Sequence, residues 1–166
     1  MTTTEMTNAI ATHVKNGQGR VLRAFGDELV FKLTAAETGG SLTMWENISP
    51  PGGGPPPHFH QDEDELFIVQ EGQMRFFIGG KWQDAGPGSI IFAPRDSVHT
   101  FRNVGSTPSR MLTLAQPSGF ETFFARCAQE FAQPGGPDMD RIAAISAEHG
   151  IHYVTVTIPA STAVCA

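Results

Sequence analysis

The sequence predicts an all-β barrel or sandwich followed by one or two C-terminal helices. Three observations predict it. The 166 residues include 18 glycines and 12 prolines, a share of turn-formers well above the usual ~12%. Short apolar runs recur about every eight to twelve residues, the spacing of sandwiches and barrels. After residue 116 the apolar period changes from about 2 to about 3.6.

The elements follow in order. Residues 1–19 are Thr-rich and polar and read as a loose N-terminal arm. Three β-like runs come next, at 20–25, 28–34 and 41–48, punctuated by Gly26-Asp27 and Thr38-Gly39-Gly40. Residues 50–57, PPGGGPPP, suit neither a helix nor a central strand. A linker between domains is the alternative, but neither flank is long enough to stand comfortably alone. Residues 65–70 and 73–78 form a hairpin around Glu71-Gly72. Gly79-Gly80 turns into a strand at 81–85, and Gly86-Pro87-Gly88 into one at 89–93. Strands at 98–103 and 110–116 complete a barrel over residues 20–116.

The segment 117–158 is helical at first. Phe120, Phe123, Phe124, Cys127 and Phe131 share one helical face. Ser118-Gly119-Phe120-Glu121 reads as a capping box, with Ser118 as N-cap and Glu121 at N3. A second helix runs from Asp138 to about Glu148, entered at Pro137 and stopped at Gly150. A last strand falls at 153–158, and residues 159–166 read as a flexible tail.

Composition narrows the partners. Eleven Lys and Arg against 17 Asp and Glu give a net charge of −6. An acidic surface argues against nucleic acid or an anionic membrane as the main partner. No apolar run approaches the ~20 residues of a membrane span. Residues 1–14 lack the basic and apolar regions of a signal peptide. Cys127 and Cys165 form no disulfide framework or zinc-finger spacing. A soluble, cytoplasmic protein is the expectation.

The chemistry concentrates in four residues. His58-Phe59-His60 places two imidazoles on one face of a strand. Glu65 opens the next strand, and His99 lies in a later one. Three imidazoles and one carboxylate suit one divalent first-row ion: Fe, Mn, Ni, Cu or Zn. Asp62, Glu63 and Asp64 read as a solvated loop, with Glu63 the rival of Glu65 as ligand. His13, His149 and His152 fit no such pattern and read as structural.

These residues carry a family resemblance. Gly52-x5-His58-x-His60-x4-Glu65-x6-Gly72 resembles the first cupin motif, G-x5-H-x-H-x3–4-E-x6-G, at every fixed position. Gly88-x5-Pro94-x-Asp96-x2-His99-x3-Asn103 resembles the second, G-x5-P-x-G-x2-H-x3-N, with Asp96 in place of a turn glycine. The resemblance implies a double-stranded β-helix, or jelly roll. It also implies that His58, His60, Glu65 and His99 converge on one metal inside the barrel. Residues 56–72 and 117–124 look like the metal strand and following helix of quercetin dioxygenase-like cupins. Many of those proteins carry two such domains, whereas this chain carries one.

Strand parity extends the site. Counting alternate residues from Glu65 puts Phe67 and Val69 on the ligand face, and from His99 puts Phe101 and Asn103 there. Phe67, Val69 and Phe101 are the candidates for an apolar substrate pocket. Leu66 and Ile68, on the opposite face, call for cover by the second helix or by another subunit, hence a homodimer. The resemblance implies a metal-dependent dioxygenase of the flavonol type acting on a small organic substrate, with Glu65 as ligand or general base. A ligand-binding or sensing cupin and a cupin isomerase or epimerase are the alternatives.

Overall fold

Alternation decides which way each strand faces. The computed structural model describes residues 9–156. β3 (Thr43–Ser49), β5 (Asp64–Glu71) and β10 (Ser109–Gln116) bury every second residue with little exception. They form the centre of a six-stranded sheet with β1 (Arg20–Ala24), β2 (Asp27–Leu33) and β8 (Ile90–Ala93), in the order β1-β2-β3-β10-β5-β8. A second sheet orders β7 (Lys81–Ala85), β6 (Met74–Ile78) and β9 (Thr100–Asn103) as β7-β6-β9. A two-stranded piece pairs β4 (His58–His60) with β11 (Ile151–Tyr153). Every pairing among these strands is antiparallel. The result is a jelly-roll barrel, as the sequence predicts.

Two apolar clusters fill it. At one end Phe67 and Val69 of β5 and Met111 of β10 pack against Met74 and Phe76 of β6 and Phe101 of β9. At the other, Leu29, Phe31 and Trp45 meet Phe120, Phe123 and Cys127 of α2 (Phe120–Phe131). α3 (Met139–Glu148) adds Ile142 and Ile145 to this second cluster. The helices therefore stop one end of the barrel with aromatic side chains, and Trp45 stacks on Phe120 at 5.3 Å.

The Pro/Gly run is a strap, not a linker. Asn103 donates its backbone N–H to the Gly53 carbonyl at 2.9 Å, and Gly52 donates to the Asn103 carbonyl at 2.8 Å. Thr100 Oγ1 donates to the Pro55 carbonyl at 2.6 Å. Gly54 has φ +147°, and a Cβ there would stand 2.0 Å from the Phe101 carbonyl oxygen. Only glycine allows this approach. The strap thus delivers β4 beside the start of β9.

Several local expectations are corrected. A short helix, α1 (Ala35–Thr38), separates β2 from β3, capped by Thr34 with Glu37 answering from N3. The N-cap of α2 is Gly119, not Ser118, and no side chain caps it. Glu121 is drawn elsewhere: its carboxylate accepts from Thr43 Oγ1 and from the backbone N–H groups of Ala35 and Gly119. The last strand runs over Ile151–Tyr153, because pairing with β4 sets its register; residues 154–156 carry no strand. The predicted strand residues 157–158, the tail 159–166 and residues 1–8 of the arm lie outside the described residues. The rest of the arm is tied down in part, with Ile10 N–H donating to the Glu37 carbonyl at 2.8 Å. α3 packs on α2 and β11 rather than on β5. No helix among the described residues is long and apolar enough to cross a membrane.

Candidate metal centre

Three parts of the chain bring the site together. β4 buries His58 and His60 on one face, with Phe59 between them facing outward. Glu65 takes the first buried position of β5. His99 sits just before β9, one residue outside the strand, and pairs with His58 through reciprocal backbone hydrogen bonds of 2.9 and 3.1 Å. All four side chains are buried, and their ligand atoms lie within 4.8 Å of one another.

The turn before His99 is retained despite Asp96. Asp96 has φ 63°, the left-handed conformation that glycine usually supplies and that Asp tolerates. Its N–H donates to the His60 carbonyl at 2.7 Å, which fastens the turn to β4.

Hydrogen bonds orient the rings. His58 Nδ1 donates to the Pro56 carbonyl at 2.9 Å, and His99 Nδ1 donates to the Ser97 carbonyl at 2.8 Å. A carbonyl can only accept, so Nδ1 carries the proton in both rings and Nε2 is left to face the centre. Around His60 the arrangement differs. Its Nδ1 has Glu63 Oε2 at 3.9 Å, and neither atom has a hydrogen-bond partner. Glu63 thus faces that nitrogen from just beyond hydrogen-bond reach.

Electrostatics follow from burial. Glu65 Oε2 lies 2.9 Å from His99 Nε2 and 3.1 Å from His60 Nε2. Burial alone would raise the Glu65 carboxyl, but His60 and His99 outweigh it and hold it well below the usual carboxylate range. Burial, reinforced by the neighbouring His99 and His60, pushes His58 down to about 3. Burial also opposes charge on His99, yet the Glu65 hydrogen bond wins and raises it. Burial raises the Glu63 carboxyl.

These residues fit a metal ion. Nε2 of His60 is buried with no hydrogen bond of acceptable geometry, although Glu65 is 3.1 Å away. Ligand bonds of about 2.0–2.2 Å separate neighbouring donor atoms by roughly 3–4 Å, near the spacing observed. Nitrogen donors with one carboxylate match a borderline divalent ion.

The sequence-predicted residues do not all arrive together. Phe67 and Phe101 line a cavity of about 60 Å³ with His58, His60 and Glu65. Val69 does not: it packs deeper, among Met74, Phe76 and Met111. Parity gives the face of a strand but not the depth along it. Glu63 is also corrected, being buried rather than solvated, and Asp64 lies in β5 paired with Arg95 at 3.1 Å. Sequence reasoning missed Phe120, Tyr153 and the polar wall of Asp27, Trp45 and Thr113, which line the same cavity. The alternation of β3, with Thr43, Trp45, Asn47 and Ser49 inward, is the signal that points to that wall.

Fold and site together define a single jelly-roll barrel with a buried three-histidine, one-glutamate centre beside a small aromatic cavity. Residues 46–115 match the Cupin_2 family, described as a cupin domain. The chain belongs to the cupin superfamily. It is 30% identical over 124 residues to the quercetin 2,3-dioxygenase of Bacillus subtilis (strain 168), which is 73% of this chain and 36% of that protein. The chain thus spans about a third of that relative's length. Among solved structures it is similar to KdgF from Halomonas sp., with a TM-score of 0.60 and 17% identity over 68% of this chain and 98% of that one. It is also similar to the polyketide cyclase RemF from Streptomyces resistomycificus, with a TM-score of 0.56 and 26% identity over 66% of this chain and 81% of that one.

Proposed function

We propose that the protein is a metal-dependent dioxygenase of the flavonol type, acting on a small organic substrate with a hydroxy-ketone or cis-diol group. The observation that carries this reading is the buried His58, His60, Glu65 and His99 cluster opening into a cavity walled by Phe67, Phe101 and Phe120. The likeness to a quercetin 2,3-dioxygenase supports the reaction class. His58, His60, Glu65 and His99 would hold the ion. A bound divalent ion lowers the pKa of a coordinated hydroxyl and brings substrate and dioxygen together.

The chain's own residues supply the rest. Phe67 and Phe101 hold the substrate against the histidine face. Phe120 and the other side chains of α2 exclude bulk water from the reacting group. Glu65, ionised at neutral pH, accepts the substrate hydroxyl proton. Dioxygen is the oxidant, and both its atoms end in the product. The test is oxygen consumption by protein purified without an affinity tag, with its metal content measured, against a panel of phenolic and hydroxy-ketone compounds. Substrate-dependent oxygen uptake is expected. No uptake with any metal or compound would shift the reading to a binding protein.

A homodimer completes the proposal. On the outer face of the large sheet Leu66 stands between Phe92 and Leu114, and Ile68 between Ile90 and Leu112. Ile90 and Phe92 are 67% and 56% exposed. A contiguous apolar face of this kind marks an interaction surface, and a second copy can bury the same face against itself. Light scattering at micromolar concentration should give twice the monomer mass, and Phe92→Lys should halve it. A monomeric wild type would overturn the assignment.

A further inference from the structure

The barrel interior holds polar groups that the histidine cluster does not use. Trp45 of β3 stands in register with Thr113 of β10, and Thr113 with Phe67 of β5. Thr113 is one inner position from Ala115, the partner of Glu65. One inner position from Trp45 is Asn47, whose amide donates to Asp27 Oδ2 at 2.8 Å and to Ser49 Oγ at 2.9 Å. Asp27, Trp45 and Thr113 line the same cavity as His58, His60 and Glu65. They are 7%, 2% and 1% exposed. Asp27 Oδ1, Trp45 Nε1 and Thr113 Oγ1 nevertheless have no hydrogen-bond partner among the described residues.

Three unpaired polar atoms in one cavity are costly to a folded chain. The indole cannot swing away to find a partner, because it is stacked on Phe31 at 5.8 Å and on Phe120 at 5.3 Å. Asn47 fixes the Asp27 carboxyl through one oxygen and leaves the other without a hydrogen-bond partner. Burial raises the Asp27 carboxyl, and the Asn47 and Ser49 hydrogen bonds offset part of this.

We propose that Asp27, Trp45 and Thr113 form a second, polar subsite that binds a further hydroxyl of the substrate while its hydroxy-ketone end meets the histidine cluster. The proposal rests on the reading of that cluster as the substrate-binding metal centre. A hydroxyl is the matching group because it both donates and accepts. It accepts from Trp45 Nε1–H and donates to Asp27 Oδ1, with Thr113 Oγ1 serving in either sense. A methyl group in its place would leave all three unpaired. The cavity of about 60 Å³ is far below the roughly 300–1,000 Å³ that encloses drug-sized ligands. The ligand class is therefore a short polyhydroxylated hydroxy-ketone.

The test is titration calorimetry on zinc-loaded protein, which reads binding without turnover. The probes are erythrulose and 1-hydroxy-2-butanone, four-carbon hydroxy-ketones that differ in having or lacking the two further hydroxyls. Wild type should prefer erythrulose by about tenfold or more, as sites built for a hydroxyl do. Trp45→Phe and Thr113→Val, made separately, should each shrink the preference to about threefold or less. Zinc content should be retained, and affinity for 1-hydroxy-2-butanone should change less than affinity for erythrulose. The melting temperature of Thr113→Val should hold or rise, since it removes an unpaired buried polar atom at nearly constant volume, whereas Trp45→Phe should lower it modestly through lost packing on Phe31 and Phe120. Equal affinity of wild type for the two probes, no binding of either, or a preference that survives both variants would overturn the subsite. Oxygen uptake with equal probe affinities would leave the dioxygenase standing without the subsite. An erythrulose preference with no oxygen uptake on any compound would do the reverse.

Discussion

His60→Ala and His99→Ala should each lose most of the bound metal. Each removes one of three nitrogen donors from a centre whose ligand atoms lie within 4.8 Å of one another. Loss of an outer partner of a metal ligand already costs about 10–100-fold in affinity, so loss of a ligand itself should exceed that range. Both variants also take a neighbour from the buried Glu65 carboxylate, His60 Nε2 at 3.1 Å or His99 Nε2 at 2.9 Å. Both should fold, since the cluster of Phe67, Met74, Phe76 and Met111 is formed by other strands and loses at most the contact of Phe67 with the His99 ring at 6.0 Å. The measurement is metal content after gel filtration, beside circular dichroism. Full retention in either variant would place the metal elsewhere.

Acid should act on the same centre, since ligating imidazoles must be neutral. His58 is pushed down to about 3 by burial and by the other two rings, so it is ready to bind throughout the neutral range. His99 is raised by its hydrogen bond to Glu65 against the effect of burial. Its proton therefore competes with the metal. Apparent metal affinity should begin to weaken as pH falls through a value above the ordinary histidine pKa of about 6.5. An apparent metal affinity that stays level from neutral pH down to pH 5 would show that His99 is not a ligand.

The alternating strands were legible because half-buried strands must alternate. β3, β5 and β10 show that alternation in their burial. The four clustered residues were legible because their side-chain types and spacing recur together in two motifs. What escaped the sequence was settled by distant partners. Ser118 and Glu121 have the spacing of a capping box, but Thr43 and the α1 backbone take the Glu121 carboxylate. The final strand obeys β4, nearly a hundred residues earlier, rather than its own apolar pattern. Glu63 belongs to an acidic run that reads as solvated, yet it is buried against His60 and close to Gly119 at the start of α2. α1 is only four residues long and leaves no periodicity to detect.

Glu65→Gln should separate the enzyme from a binding protein. The change keeps the shape of the side chain and removes its charge. Metal should be partly retained, because three imidazoles remain and an amide oxygen is a weak ligand. Turnover should fall by roughly 10²–10⁴-fold, the usual share of a general base. In the structure the carboxylate is held well below its ordinary range by His60 and His99. That influence depends on charged imidazoles. The carboxylate is 4% exposed, so the proton it takes comes from the bound substrate rather than from bulk water. The loss should therefore fall on kcat more than on KM, as for an interaction made in the transition state. The paired measurement is metal content and oxygen consumption for wild type and Glu65→Gln on the best substrate found. Unchanged oxygen uptake with intact metal would remove Glu65 from the proton transfer and leave it a ligand alone. A protein that only binds small molecules would show a modest change in affinity and no uptake to lose.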